Sequence, residues 1–349
     1  MGRPALILAA LAADAAPGKN FTNYRLDSSN PHLEQLQLWD KSGDSFILKS
    51  PRGSTGEREL ALELEGLRAV SMARESLPFD IPVVIGQTRD LDGAKAVLLS
   101  LLGGESPDLS RYTPGKFSQS IAAALAAIHS IDPNFVKDAG LPEYQSSDSV
   151  HQRVAEVDAI AATGRVAPQL LSRWEKALED VALFRFHPVV THGAINQDTL
   201  VVSNQEVIGV SGWNSLAITD PAEDLRWLAG GALATTFEDT ILHYRANLPT
   251  ADENLALRAQ LYSELELGNW LVHCLAHEDQ TEVARAEDLL NELRDQLDAG
   301  SLPALRAASF AGLATAGATT GAQSFDFDTP ATEAPIVEAS TNSSEEELF

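Results

Sequence analysis

Positive charge is scarce in this sequence. Only 25 Lys and Arg stand against 50 Asp and Glu, for a net charge of −25. Phosphate backbones select basic faces, so a nucleic-acid partner is excluded. A cationic small molecule or a basic protein partner is compatible with that balance, as is plain solubility. Cysteine is nearly absent: Cys274 stands alone, no intrachain disulfide exists, and a reducing, cytoplasmic setting is expected. No apolar run reaches the length of a bilayer, so no membrane partner is expected either. The sequence also lacks a Walker loop and a G-x-G-x-x-G turn, and GVSGW lacks the second glycine of a nucleophile elbow. No internal repeat is present.

What is present suffices for a core. Apolar residues make up 44% of 349 positions, enough for two lobes. PALILAALAA, after Arg3, reads as a helix over residues 4–16, stopped by Asp14 and Pro17-Gly18, rather than as an export signal. HLEQLQLWDKSGDSFILKS alternates polar and apolar residues on both sides of Lys41-Ser42-Gly43-Asp44, a hairpin pattern. ERELALELEGLRAVSMA repeats its leucines at helical spacing. IPVVIGQT and KAVLLSLL read as two more strands around an Asp-Gly turn, and Leu101 to Gly104 as a connector. Helices then dominate: FSQSIAAALAAIHSI, SSDSVHQRVAEVDAIAA, PQLLSRWEKALEDVALF, and the span from Pro221 to about Leu297.

The stretch THGAINQDTLVVSNQEVIGVSGW, Thr191 to Trp213, followed by Asp220-Pro221-Ala222-Glu223-Asp224-Leu225, breaks the helical texture. With the elements before it, this resembles the aminoglycoside and macrolide phosphotransferases, small-molecule kinases related to choline kinases, over about residues 20–297. The resemblance implies an α+β, protein-kinase-like bilobal fold. An N-terminal helix (1–19) would precede a small antiparallel-sheet N-lobe (20–100), a larger, mainly helical C-lobe (101–305) and a tail (306–349). By the same resemblance Lys49 in FILKSP is the strand lysine that holds nucleotide phosphates. Glu63, followed by Leu67 and Val70 at helical spacing, is its helix partner. Leu101 and Gly103 in VLLSLLGGE lie in the connector whose backbone meets adenine. ALAAIHSID, with His129, resembles the family's helix ending in Leu-x-x-Leu-His.

The sequence departs from the family where chemistry is done. The family pattern is His-Gly-Asp, an Asn five residues after that Asp, and an Asp-Trp pair thirteen residues after the Asn. Here His192, Gly193 and Trp213 are kept, while the three chemical positions are Ala194, Thr199 and Gly212. Phosphoryl transfer needs positioned phosphates, metal ions and a carboxylate on the attacking hydroxyl. Loss of a general base alone costs ~10²–10⁴-fold, and loss of the metal several kcal/mol more. No catalytic or metal position is therefore intact, and no cofactor is expected. The function implied is a pseudokinase that binds an unidentified protein or small-molecule ligand. The alternative is an active ATP- and Mg²⁺-dependent phosphotransferase acting on a small molecule's hydroxyl, with Asp198 as stand-in for the missing carboxylate. Asp220 is a weaker stand-in, and Asn196 and Asn214 offer only amide oxygens. In the bland reading Asp198 is a solvated turn residue and Asp220 a helix cap.

Two further signals are slight. His273 and His277 stand one helical turn apart, as zinc ligands do, but without a metalloprotease glutamate. Beyond about Arg306 the chain is Ala, Gly, Thr and Ser, then SFDFDTPATEAPIVEASTNSSEEELF, with seven acidic residues and no Lys or Arg. That composition predicts a disordered acidic tail, either inert or, as a third reading of function, a scaffold segment whose Leu-Phe end docks in an apolar pocket.

Overall fold

The computed structural model describes residues 3–27, 30–90 and 93–307. The tail readings, SFDFD and EEELF included, concern residues beyond 307 and lie outside the described part.

The first helix, α1 (Ala5–Ala15), turns Leu8, Ala12 and Ala15 to one side, the i, i+4, i+7 spacing of a helix face. It covers the outer face of a five-stranded antiparallel sheet. The strands are β1 (Phe21–Asp27), β2 (Leu33–Asp40), β3 (Ser45–Pro51), β4 (Val84–Arg89) and β5 (Lys95–Ser100), in the order β1-β2-β3-β5-β4. Strand alternation sorts the side chains. Leu36, Leu38, Phe46, Leu48, Ala96 and Leu98 meet α1, while Leu33, Ile47, Val97 and Leu99 join the main core on the other face. At Gly86 a Cβ would come within 1.8 Å of the Ala15 carbonyl oxygen, so only glycine lets α1 lie this close to β4. Arg3 fastens the start of α1 through Glu34 at 2.7 Å and Asp90 at 2.6 Å. The expected hairpin is the β2–β3 pair, with Gln35 opposite Lys49. Strand β1 is not announced by the sequence pattern. FTNYRLD alternates over only a few residues, and its apolar Tyr24 and Leu26 stay exposed at the sheet edge, so its ladder with β2 is what marks it as a strand.

Helix α2 (Gly53–Ser71) crosses the inner face, burying Leu60, Glu63, Leu67 and Val70. The connector after β5 leads to α3 (Lys116–His129), α4 (Pro133–Asp138), α5 (Ser146–Ala162) and α6 (Pro168–Leu178). Two small antiparallel pairs follow: β6 (Val189–Thr191) with β9 (Ala217–Thr219), and β7 (Leu200–Ser203) with β8 (Glu206–Val210). Asn204 and Gln205, both at positive φ, turn the β7–β8 hairpin. Helices α7 (Arg226–Gly231), α8 (Ala234–Asn247), α9 (Leu255–Ala276) and α10 (Gln280–Asp298) complete the second lobe. The molecule is thus α+β and kinase-like, a small antiparallel sheet lobe before a larger helical one. Among the described residues, no helix is long and apolar enough to cross a membrane.

Candidate functional site

The site forms where the sheet lobe meets the Thr191–Trp213 stretch. Lys49 projects from β3 and Glu63 from α2. Their side chains meet at 2.5 and 2.8 Å, both largely buried. Helix α2 is pressed onto the segment after β8, since a Cβ at Gly66 would stand 2.0 Å from the Trp213 carbonyl oxygen. The Asn30–His32 turn is tied to α2 and its approach, by Asn30 to Glu59 at 2.6 Å and Arg52 N–H to the His32 carbonyl at 2.8 Å. Register puts Arg25, Asp27, Gln35, Gln37 and Ile47 on the sheet face of Lys49. That roof is polar: Arg25 donates to Gln37 at 2.7 Å, and Gln37 to Asp27 at 3.4 Å. In the connector the Leu101 N–H donates to the Ser45 carbonyl at 2.9 Å, and the Leu101 carbonyl accepts from the Ser45 hydroxyl at 3.2 Å. Gly103 makes no hydrogen bond among the described residues.

One buried carboxylate shapes the loop. Asp224 accepts from the amides of His192 at 2.8 Å and Gly193 at 2.6 Å, and from His129 Nε2 at 3.1 Å. The Tyr244 hydroxyl stands 2.6 Å from the other ring nitrogen of His129. Burial alone would raise the Asp224 carboxyl, but the His129 hydrogen bond and charge, with the His192 contacts, hold it below the ordinary carboxylate range. His192 is wholly buried. Its Nε2 lies 2.8 Å from the Ser211 carbonyl, which can only accept, and its Nδ1 receives the Ala194 N–H at 3.2 Å. This fixes the neutral Nε2–H tautomer. Trp213 packs edge-on against the ring at 4.6 Å and donates its indole N–H to Val210 O.

The loop backbone is held, and Ala194, Thr199 and Gly212, the three positions that depart from the family pattern, carry no carboxylate. Ala194 presents a methyl group. The Thr199 hydroxyl receives the Asn196 N–H at 3.0 Å and lies 3.2 Å from both the Ala194 and Asn196 carbonyls, so it serves the loop itself. Gly212 has φ 78° and ψ 45°, left-handed backbone, and a Cβ there would stand 2.9 Å from the Thr199 γ-methyl. Mg²⁺ takes carboxylate, phosphate and water oxygens in near-octahedral array. A methyl, a committed hydroxyl and a hydrogen do not fit it.

Comparison with known proteins bears on this geometry. The profile of the phosphotransferase enzyme family matches residues 32–258, more than half of the chain. The chain belongs to that phosphotransferase family. Solved structures of the same fold include macrolide 2'-phosphotransferase MphH from Brachybacterium faecium, at 20% identity and TM-score 0.68, covering 82% of this chain and 98% of that one. A type I macrolide 2'-phosphotransferase aligns at 21% identity and TM-score 0.67, over 81% of this chain and 95% of that one. An aminoglycoside 2'-phosphotransferase-IIIa variant in complex with GDP aligns at 15% identity and TM-score 0.70, over 85% and 99%. At these identities the likeness is one of fold. No curated protein matches the sequence.

Within this phosphotransferase scaffold the other carboxylates are placed as follows. Asp198 is exposed in the turn, its amide bonded to Asn196 Oδ1 at 2.8 Å. Asp220 is not a stand-in carboxylate but a buried cap and ion-pair partner. Fully buried, it accepts from Arg258 at 2.7 and 3.0 Å, from the Tyr262 hydroxyl at 2.7 Å and from Ala222 N–H at 2.9 Å, so no lone pair faces the cleft. Asn196 Oδ1 is likewise occupied, by the amides of Asp198 and Thr199. Asn214 lines a cavity beside Gly193. His273 and His277 lie ring to ring at 4.1 Å near the end of α9, and among the described residues no third His, Cys, Asp or Glu joins them as a metal set. Sequence reasoning missed the anchoring role of Asp224. The signal was present in the Asp-Pro-x-x-Asp-Leu segment, but its target lies 31 and 32 residues away.

The buried imidazole has a measurable consequence. Burial lowers the His192 pKa below its ordinary 6.5, whereas the unfolded chain takes up a proton there. Stability is therefore expected to fall as pH drops below about 6.5, by up to about 1.4 kcal/mol per pH unit from this one group. Glu223, whose carboxyl burial raises, works in the opposite sense. Urea denaturation of the parent and of His192→Gln, at about pH 7 and about pH 5.5, isolates the histidine as the difference between the two slopes. Equal slopes would show that His192 does not carry the effect.

Proposed function

We propose that this phosphotransferase-family protein has lost phosphoryl transfer and works as a pseudokinase, by binding a small ligand or a partner. One observation carries the reading: the loop backbone is anchored by Asp224, yet its three chemical positions offer no carboxylate and no free hydroxyl.

The test is a melting curve with and without Mg-ATP. A ligand at a hundred times its Kd adds about 2.7 kcal/mol of stability. The expected result is no shift at millimolar Mg-ATP. A clear rise would defeat the pseudokinase reading and favour the second one, an active kinase using Asp198. The intact Lys49–Glu63 pair is the observation on that side. In that event Asp198→Asn should abolish turnover while leaving the shift in place.

A further inference from the structure

A cavity of about 350 Å³ opens beside Gly193, among α2, α5 and the segment after Trp213. That is the small end of ligand-pocket sizes, room for about one substituted ring rather than a macrolide or a three-ring aminoglycoside. Leu62, Leu141 and Leu216 form its apolar walls. Its charged lining is Arg153 from α5, Arg226 from α7 and Glu223.

The charges are unequally satisfied. Glu223 is already shared, its two oxygens lying 3.2 Å from Arg153 Nη2 and 2.6 Å from Arg226 Nη1. It has little left to offer a ligand ammonium. Arg153 is in the reverse position. It is 5% exposed, and its Nε is buried with no hydrogen-bond partner among the described residues, as is Oε2 of the neighbouring Glu156. It is held only by ion-pair contacts of 3.2 Å to Glu156 and Glu223 and by the Tyr262 ring at 4.7 Å. A guanidinium carries five N–H donors, and burying it without acceptors is costly. Arg226 spends one nitrogen on Glu223, and its Nη2 reaches the Gly193 carbonyl only at 3.5 Å. Its Nε lies 3.5 Å from the exposed Glu266. The lining itself thus carries two guanidiniums against one carboxylate, Glu223, with Glu156 and Glu266 paired to the arginines but not among the lining residues.

We propose that this cavity binds a small oxyanion, a carboxylate or phosphate ester on a body of about one ring, with Arg153 and Arg226 gripping the oxygens and the leucine walls taking the ring. Planar guanidinium forks match the oxygens of either group, which is the chemistry the two share. The proposal rests on the reading that the protein acts by binding a small ligand. It gives that ligand a sign opposite to the cationic partner that net charge alone allows.

A matched set of one-ring probes tests it by isothermal titration at constant ionic strength: phenyl phosphate, benzoate, benzyl alcohol and benzylamine. Phenyl phosphate or benzoate is expected to bind in the millimolar range, at least about 10-fold more tightly than the alcohol or the amine. The preferred anion separates a phosphate site from a carboxylate site. Arg153→Met and Arg226→Met should each weaken that anion about 10-fold or more, and Arg226→Lys should weaken it less. Circular dichroism and each variant's own melting curve confirm that it folds. Arg226, whose side chain is 26% exposed, keeps the test decisive if Arg153→Met does not fold. Tighter binding of benzylamine, no binding of either anion, or equal anion binding by parent and Arg226→Met would overturn the proposal. A Mg-ATP arm keeps the two readings apart. A Mg-ATP shift with anion selectivity intact defeats only the pseudokinase reading. The absence of both defeats only the oxyanion site.

Discussion

The triple variant Ala194→Asp, Thr199→Asn, Gly212→Asp is expected to gain a magnesium-dependent rise in melting temperature with ATP, whereas Gly212→Asp alone is expected to lose stability and gain nothing. The reason is an interlock between two of the positions. Gly212 is left-handed, a conformation that Asp tolerates better than most residues, so the backbone itself does not forbid the change. The obstacle is the Thr199 γ-methyl, 2.9 Å from where the new Cβ would stand. Thr199 cannot easily rotate away. It is β-branched, and its hydroxyl is engaged with Asn196 and Ala194. Overpacking of this kind costs about 1–3 kcal/mol. Asn at 199 has no second branch on Cβ, so the cost should fall sharply when both are changed together, a coupling that a double-mutant cycle reads directly. With the oxygens returned, saturating Mg-ATP should add about 2.7 kcal/mol at a hundredfold Kd, or several degrees. If Gly212→Asp proves as harmful beside Thr199→Asn as without it, the interlock is not what separates this loop from a metal-holding one.

Asp224→Ala should be the most damaging single change in the loop's support. It removes the acceptor of two backbone amides and a histidine at once, the His192 and His129 contacts fully buried and the Gly193 contact partly so. Stripping one side of such a buried charged network costs about 3–5 kcal/mol, a large share of any domain's stability. Asp224→Asn keeps one acceptor oxygen of the two and should cost less, about 1–3 kcal/mol for an amide left unsatisfied. The midpoint of urea denaturation measures both, with an unchanged m-value as the sign that stability alone has moved. An Asp224→Ala midpoint within error of the parent would mean that the loop holds its shape without this anchor.

These two cases also show where sequence is informative and where it is not. The leucines of α2, the alternation of β2 and β3, and the order of Lys49, Glu63 and the His192–Trp213 stretch are local or ordered features, and the fold follows from them. The edge strand β1 escapes because its alternation, Tyr24 and Leu26 between polar residues, is too short to stand out. Asp220 reads as an available carboxylate until Arg258, 38 residues later, is seen to occupy it on both oxygens. The Thr199–Gly212 interlock depends on a left-handed backbone angle, and the pairing of Arg153 and Arg226 on one cavity wall depends on how α5 and α7 pack. Neither quantity is written in residue identity.

The short opening helix has a practical meaning beyond its place in the fold. Leu8 and Ala12 are sealed against six aliphatic and aromatic side chains of the sheet, over a glycine that admits no substitute. Proteolytic clipping or an N-terminal fusion that unravels residues 5–15 would bare that whole face to water. Such material should clump on purification with its cleft untouched, so loss of yield after trimming this end would report on the lobe's back wall.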